Sequence, residues 1–145
     1  MIRVRVQTAP IDLPAELAVA EASGAGAVAT FTGLVRADDG VELLELEHWP
    51  GGTERALTAL AEQAVARWSL LGASVVHRVG PMRAGERIVF VAAAASHRAD
   101  ALAACTFLID RLKTDAPFWK KETRAGHARW VEARESDAEA AARWL

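Results

Sequence analysis

One cysteine, Cys105, is all the thiol chemistry in this chain of 145 residues. A single thiol excludes a disulfide framework and any cysteine-built zinc or iron–sulfur cage within one copy. Tyrosine is absent. The four histidines, His48, His77, His97 and His127, include no i, i+4 pair of metal-ligand type. No apolar run approaches the ~20 residues needed to span a bilayer. The opening Met1-Ile-Arg-Val-Arg-Val-Gln7 alternates and carries charge, unlike a signal peptide. Neither sign of charge dominates: the formal net charge is −2. Without a basic stripe, nucleic acid is excluded as a partner, and any anion site must come from local clustering of Arg and Lys. These absences predict a soluble cytoplasmic protein with no metal site and no membrane partner.

What is present suffices for a core. Apolar residues make up 52% of the sequence, and the length suits one domain spanning residues 1–145. Ile2, Val4 and Val6 alternate with Arg3, Arg5 and Gln7, the period of a half-buried strand. Asp12 or Pro14 opens a helix to about Ser23, broken by Gly24-Ala-Gly26. Ala27 to Arg36 reads as a second strand, Asp38-Asp-Gly40 as a turn, and Leu43 to Trp49 as a third strand. With Thr53 as N-cap, a helix carries Leu57, Leu60, Ala61, Ala64, Val65 and Trp68 on one stripe and ends at Gly72. Strands follow over Ala73 to Val79 and Arg87 to Ala95, separated by a turn from Pro81 to Gly85; the second is apolar enough to be central. Ser96 caps a helix whose stripe is Ala101, Leu102, Cys105, Leu108, Ile109 and Leu112, stopped by Pro117. Phe118 to Thr123 and Arg129 to Ala133 are short strands, and Ser136 caps a last helix to Trp144. Strands and helices mix without strict βαβ alternation, so the fold class is α+β, a mixed and mostly antiparallel sheet with packed helices.

Four constellations could carry chemistry. Lys113, Lys120 and Lys121 surround an aromatic elbow, Pro117-Phe-Trp119. A lysine there can simply favour the negative end of a helix dipole. Desolvated beside rigid apolar surface and next to another cation, it is instead a better nucleophile or proton donor. Ser96-His-Arg98 puts an imidazole and a guanidinium at a helix start, where free N–H groups favour an anion; a Ser cap with two solvated side chains explains it as well. In Thr30-Phe-Thr-Gly-Leu-Val-Arg36, Gly33 implies a bulge or close backbone approach, and Arg36 either points into a cleft or lies on the surface. Arg134, within Trp130-Val-Glu-Ala-Arg-Glu-Ser-Asp137, either flanks a cap or adds to an anion site. His48, His77, His127 and Cys105 read as structural, Cys105 as a small buried hydrophobe.

Taken together these residues resemble the large, catalytic subunit of molybdopterin synthase, from end to end. The matching pieces are Phe31-Thr-Gly-Leu-Val-Arg36, Leu46-Glu-His-Trp-Pro-Gly51, His77-Arg-Val-Gly80, Ser96-His-Arg98, Leu112-Lys-Thr-Asp-Ala-Pro-Phe-Trp-Lys-Lys-Glu122 and Trp130-Val-Glu-Ala-Arg-Glu-Ser-Asp137. The segment Lys113 to Glu122 is the most specific. The resemblance implies a sulfurtransferase of molybdenum cofactor biosynthesis. It would convert cyclic pyranopterin monophosphate to the dithiolene pterin, molybdopterin, with sulfur carried as a thiocarboxylate on the C-terminal glycine of a small ubiquitin-like partner. It implies a heterotetramer around a homodimer of this subunit, and no cofactor of its own. The family's active-site positions match Arg36, His97, Arg98, Lys113 and Lys120, with Leu34, Val35, Lys121 and Glu122 lining the pocket. On this reading Lys113 and Lys120 are catalytic. Leu34, at a position often held by lysine, Asp115, where a basic or neutral residue is usual, and Trp49, for a common tyrosine, depart from the pattern.

The helix that begins near Arg98 and ends near Lys113 adds a geometric expectation. Fifteen residues at ~1.5 Å rise separate the two by roughly 22 Å. A two-fold dimer could unite one chain's helix start with the other's Lys113. The expected site is therefore composite, with His97, Arg98 and Arg134 supplied in trans. The rival readings are a non-catalytic phosphopterin-binding module and a scaffold that merely docks the partner's tail.

Overall fold

The computed structural model describes residues 1–36, 40–131 and 135–145. In chain order the elements are β1 (Ile2–Gln7), α1 (Leu13–Glu21), β2 (Ala27–Leu34), β3 (Val41–His48), α2 (Gly52–Trp68), β4 (Gly72–Arg78), β5 (Gly80–Met82), β6 (Arg87–Ala95), α3 (Arg98–Asp115), β7 (Phe118–Arg124), β8 (His127–Val131) and α4 (Glu135–Ala142). The strands divide between two four-stranded sheets, ordered β1-β4-β6-β2 and β5-β3-β7-β8. The fold is α+β and mostly antiparallel, as the sequence predicts; β1 and β4 run parallel. That the strands form two sheets rather than one is not legible from local pattern, because partner choice is non-local.

The central strand of the first sheet explains its own composition. Val89, Val91, Ala93 and Ala95 of β6 pack with Leu57, Leu60, Ala61 and Ala64 of α2 and Ala101, Ala104, Phe107 and Leu108 of α3. The alternate residues, Phe90 and Ala92, pack with Ala20 of α1, Ile11 and Val76. A strand buried on both faces has no polar side, so its sequence runs apolar throughout. A third cluster, Val35, Leu44, Leu46, Val79 and Met82, joins the two sheets.

Several expected boundaries move. Thr53 is not the N-cap of α2: Gly51 is, at φ 82°, and its N–H donates to Glu54 Oε1 at 3.1 Å. Thr53 is fully buried, and its hydroxyl accepts from the Trp49 N–H and donates to the Pro117 carbonyl, both at 2.9 Å. Helix α2 ends at Trp68 with Ser69 left-handed, and Gly72 opens β4 instead. Within the expected turn from Pro81 to Gly85, Pro81 and Met82 belong to β5, paired with β3. Proline is tolerated there because β5 is an edge. Ser96 does not cap α3: His97 holds the N-cap position, without a side-chain bond. Ser136 lies inside α4. Leu102 is 59% exposed, and Phe107 and Ala104 take the stripe instead. Asp38 and Asp39 of the expected turn, and Ala133 at the end of the last expected strand, lie outside the described residues.

Candidate active site

A cavity of about 550 Å³ opens between the two sheets and the C-terminal end of α3. Its walls follow from the pleat of the second sheet. Phe118, Lys120 and Glu122 of β7 alternate toward the cavity, and Leu44 and Leu46 of β3 stand opposite Glu122 and Lys120. The same alternation sends Lys121 to the other face, where its Nζ lies 5.7 Å from the Trp130 ring centroid. Lys121, expected in the pocket, does not line it.

The end of β2 supplies a second wall. The register with β6 shifts between Gly33 and Leu34, the expected bulge. A Cβ on Gly33 would stand 2.7 Å from Val89 Cγ1, so the close approach of β2 to β6 needs glycine. Leu34, Val35 and Arg36 follow and line the cavity, Val35 buried, Leu34 and Arg36 exposed. Glu122 accepts from Arg124 at 2.7 Å.

Lys113 sits in the last turn of α3, exposed at the cavity. Lys120 is half-buried on the facing strand. The segment between them is clamped: Pro117 accepts from the buried Thr53 hydroxyl, and Phe118 stacks on His77 with ring centroids 4.0 Å apart. One chain therefore brings Lys113, Lys120, Arg36, Leu34, Val35 and Glu122 together. The desolvation expected at Lys113 is not supplied within one chain, which leaves the side chain exposed.

It does not bring in His97 and Arg98. Both are exposed at the N-terminal end of α3, in a separate, more open hollow with Gly26, Ala27, Ser96 and Ala99. The helix between is continuous, so the ~1.5 Å rise per residue keeps Arg98 roughly 22 Å from Lys113. Arg134 lies outside the described residues.

Sequence reasoning missed several lining residues: Phe31, Thr32, His77, Ser136 and Asp137. Ser136 and Asp137 reach the cavity because α4 packs on α3 through Trp144. Trp144 Nε1 donates to Asp110 at 2.7 Å, and its ring meets Phe107 and Trp68 edge-on. His77 read as structural because it lies in a buried strand, and the HRVG segment was the available signal. Its environment is unusual: burial lowers its pKa to about 4, with the charges of Lys113 and His48 acting in the same direction against a hydrogen bond to the Arg78 carbonyl. Cys105 is buried, and burial pushes its thiol up to about 11, which keeps it unreactive near neutrality.

Residues 6–115 match the model of the MoaE protein family. The chain is 53% identical to the molybdopterin synthase catalytic subunit of Cereibacter sphaeroides over 99% of its own length and 100% of that protein's. It superimposes on the molybdopterin biosynthesis MoaE protein from Burkholderia ambifaria with a TM-score of 0.86, at 50% identity and covering 99% and 98% of the two chains. The molybdopterin synthase of Staphylococcus aureus gives a TM-score of 0.80, at 32% identity over 88% of this chain and 95% of that one. With its whole length and both sheets accounted for by these likenesses, the chain belongs to the MoaE family.

Proposed function

We infer that this chain is the catalytic subunit of a molybdopterin synthase and that sulfur transfer takes place in the cavity between Lys113 and Lys120. The enzyme moves sulfur from the C-terminal thiocarboxylate of the small ubiquitin-like subunit to cyclic pyranopterin monophosphate, forming the dithiolene of molybdopterin. The observation that carries the site is the convergence of Lys113 of α3, Lys120 of β7 and Arg36, just beyond β2, on one cavity. The cations suit both reactants, since the precursor carries a phosphate and the carrier tail ends in an anion. Lys113 acts on the substrate or the thiocarboxylate, Lys120 stabilises developing charge or transfers a proton, and Arg36 holds phosphate. The sulfur arrives on the partner, so the unreactive Cys105 is no obstacle.

His97 and Arg98, too far away within one chain, complete the site from the second subunit of a homodimer, and Arg134 joins them. The dimer forms the core of a heterotetramer with one small subunit at each end. Among the described residues no helix is long and apolar enough to cross a membrane, and a cytoplasmic location is part of this reading. The test is the reconstituted reaction with precursor and thiocarboxylated small subunit. Wild type forms the dithiolene product. Lys113→Ala folds, still binds the small subunit and loses turnover by roughly 100-fold or more. Near-normal turnover would remove Lys113 from the chemistry. Parallel loss of small-subunit binding would make the region a docking scaffold.

A further inference from the structure

His77 combines four features that its place in a strand does not require. It lines the cavity with Lys113 and Lys120, although only 6% of its surface is exposed. Its ring stacks on Phe118, interplanar angle 28°. Its Nδ1 lies 3.0 Å from the Arg78 carbonyl, and a carbonyl only accepts, so Nδ1 carries the proton and Nε2 keeps its lone pair. Among the described residues Nε2 has no hydrogen-bond partner.

Lys113 is the complementary case. It lines the same cavity and is close enough for its charge to act on His77. Among the described residues it makes no ion pair. A four-carbon stem with an untethered head samples many rotamers, and a reactive nitrogen must be held near its target to within fractions of an ångström.

We propose that His77 is a positioning residue for Lys113: fixed by the Arg78 carbonyl and the Phe118 ring, its imidazole presents Nε2 to the cavity and accepts a hydrogen bond from Lys113 Nζ. As ammonium or as free amine, Lys113 has an N–H to donate, so the bond aims Nζ in either state. Burial keeps the imidazole uncharged near neutrality; an imidazolium would offer no lone pair and would repel the lysine. The Phe118 stack makes the elbow after Lys113 part of the same unit. This inference rests on the cavity being the reaction site.

Two replacements separate positioning from packing. His77→Phe keeps an aromatic ring against Phe118 and removes the acceptor. His77→Gln restores a polar acceptor at about the same reach. In the reconstituted reaction His77→Phe lowers kcat roughly 10- to 100-fold, the worth of a hydrogen bond to a charged group, with KM nearly unchanged. His77→Gln recovers a substantial part. A His77→Phe variant with wild-type kcat, a loss confined to KM, or a Gln variant no better than Phe overturns the proposal.

A second measurement needs no substitution at His77. The ¹⁵N resonance of Nε2 is compared between wild type and Lys113→Met, a change at an exposed residue. Loss of the donor moves it toward the value of a free lone pair; an unmoved resonance overturns the proposal. Lys113→Ala run alongside separates the two levels. If Lys113→Ala turns over normally, the reaction site itself is misplaced. If Lys113→Ala is dead while His77→Phe is normal, only the role of His77 falls.

Discussion

The two ends of α3 both carry basic residues, and the fold treats them differently. At the C-terminal end, two sheets and a β-bulge wall a cavity around Lys113. At the N-terminal end, His97 and Arg98 stand exposed in an open hollow. Electrostatics alone would favour the second as an anion site, since free N–H groups and a guanidinium coincide there. What it lacks is enclosure. The contrast teaches that enclosure, not charge, separates the two ends: one chain walls Lys113 and leaves His97 and Arg98 open.

The sharpest way to break that contrast is to mix two inactive subunits, Arg98→Ala and Lys113→Ala. If the ends of two helices share one site, each heterodimer has one intact and one doubly damaged site. A random mixture then regains about one quarter of wild-type turnover. If heterodimers form and stay inactive, each chain uses its own Arg98.

A smaller effect isolates the completed end. His77 has a folded pKa of about 4 against an ordinary 6.5 because burial opposes its charge. Between those values the unfolded chain binds more protons, so stability falls as pH drops from 6.5 toward 4. The linked loss is about 3 kcal/mol. Denaturant midpoints at pH 7, 5 and 4 follow it in wild type, and His77→Phe should flatten this part of the profile.

Next comes the clamp on the elbow. Thr53→Val keeps shape but leaves the Trp49 N–H and the Pro117 carbonyl without their partner. It should cost about 2 kcal/mol, measured by chemical unfolding; a cost near zero would mean that the elbow is held by packing alone. The smallest effect belongs to the far face of β7. Lys121→Ala should change turnover by less than about threefold, whereas Lys120→Ala, one residue away on the cavity side, should lose more than about tenfold. Equal losses would erase the distinction between the two faces.

Much of this was legible in the sequence because it is local. Period-2 and period-3.6 patterns located the elements, and the unbroken apolar run of β6 announced a strand buried on both sides. The bulge at Gly33 and the cluster at Lys113 to Glu122 could be read because glycine and lysine are unusual where they stand. Helix starts were misread where a glycine backbone, as at Gly51, did what a hydroxyl was expected to do. His77, Ser136 and Asp137 escaped because the segments that contain them do not say which of their side chains the fold turns toward the cavity. Lys121, which the resemblance places in the pocket, lies on the other face of β7 from Lys120 because a strand's side chains alternate.

The bulge between Gly33 and Leu34 has a further consequence for how this protein can vary. It acts as a phase marker: it shifts the register of β2 against β6, and beyond it Leu34, Val35 and Arg36 meet the cavity. Removing one residue anywhere between Ala27 and Gly33 would invert that phase for every side chain on one side of the cut. Along this stretch, spacing is therefore the conserved quantity to look for. Its length is held as firmly as the side chains that pack there, Gly33 against Val89 and Ala27, Val28 and Ala29 against the core.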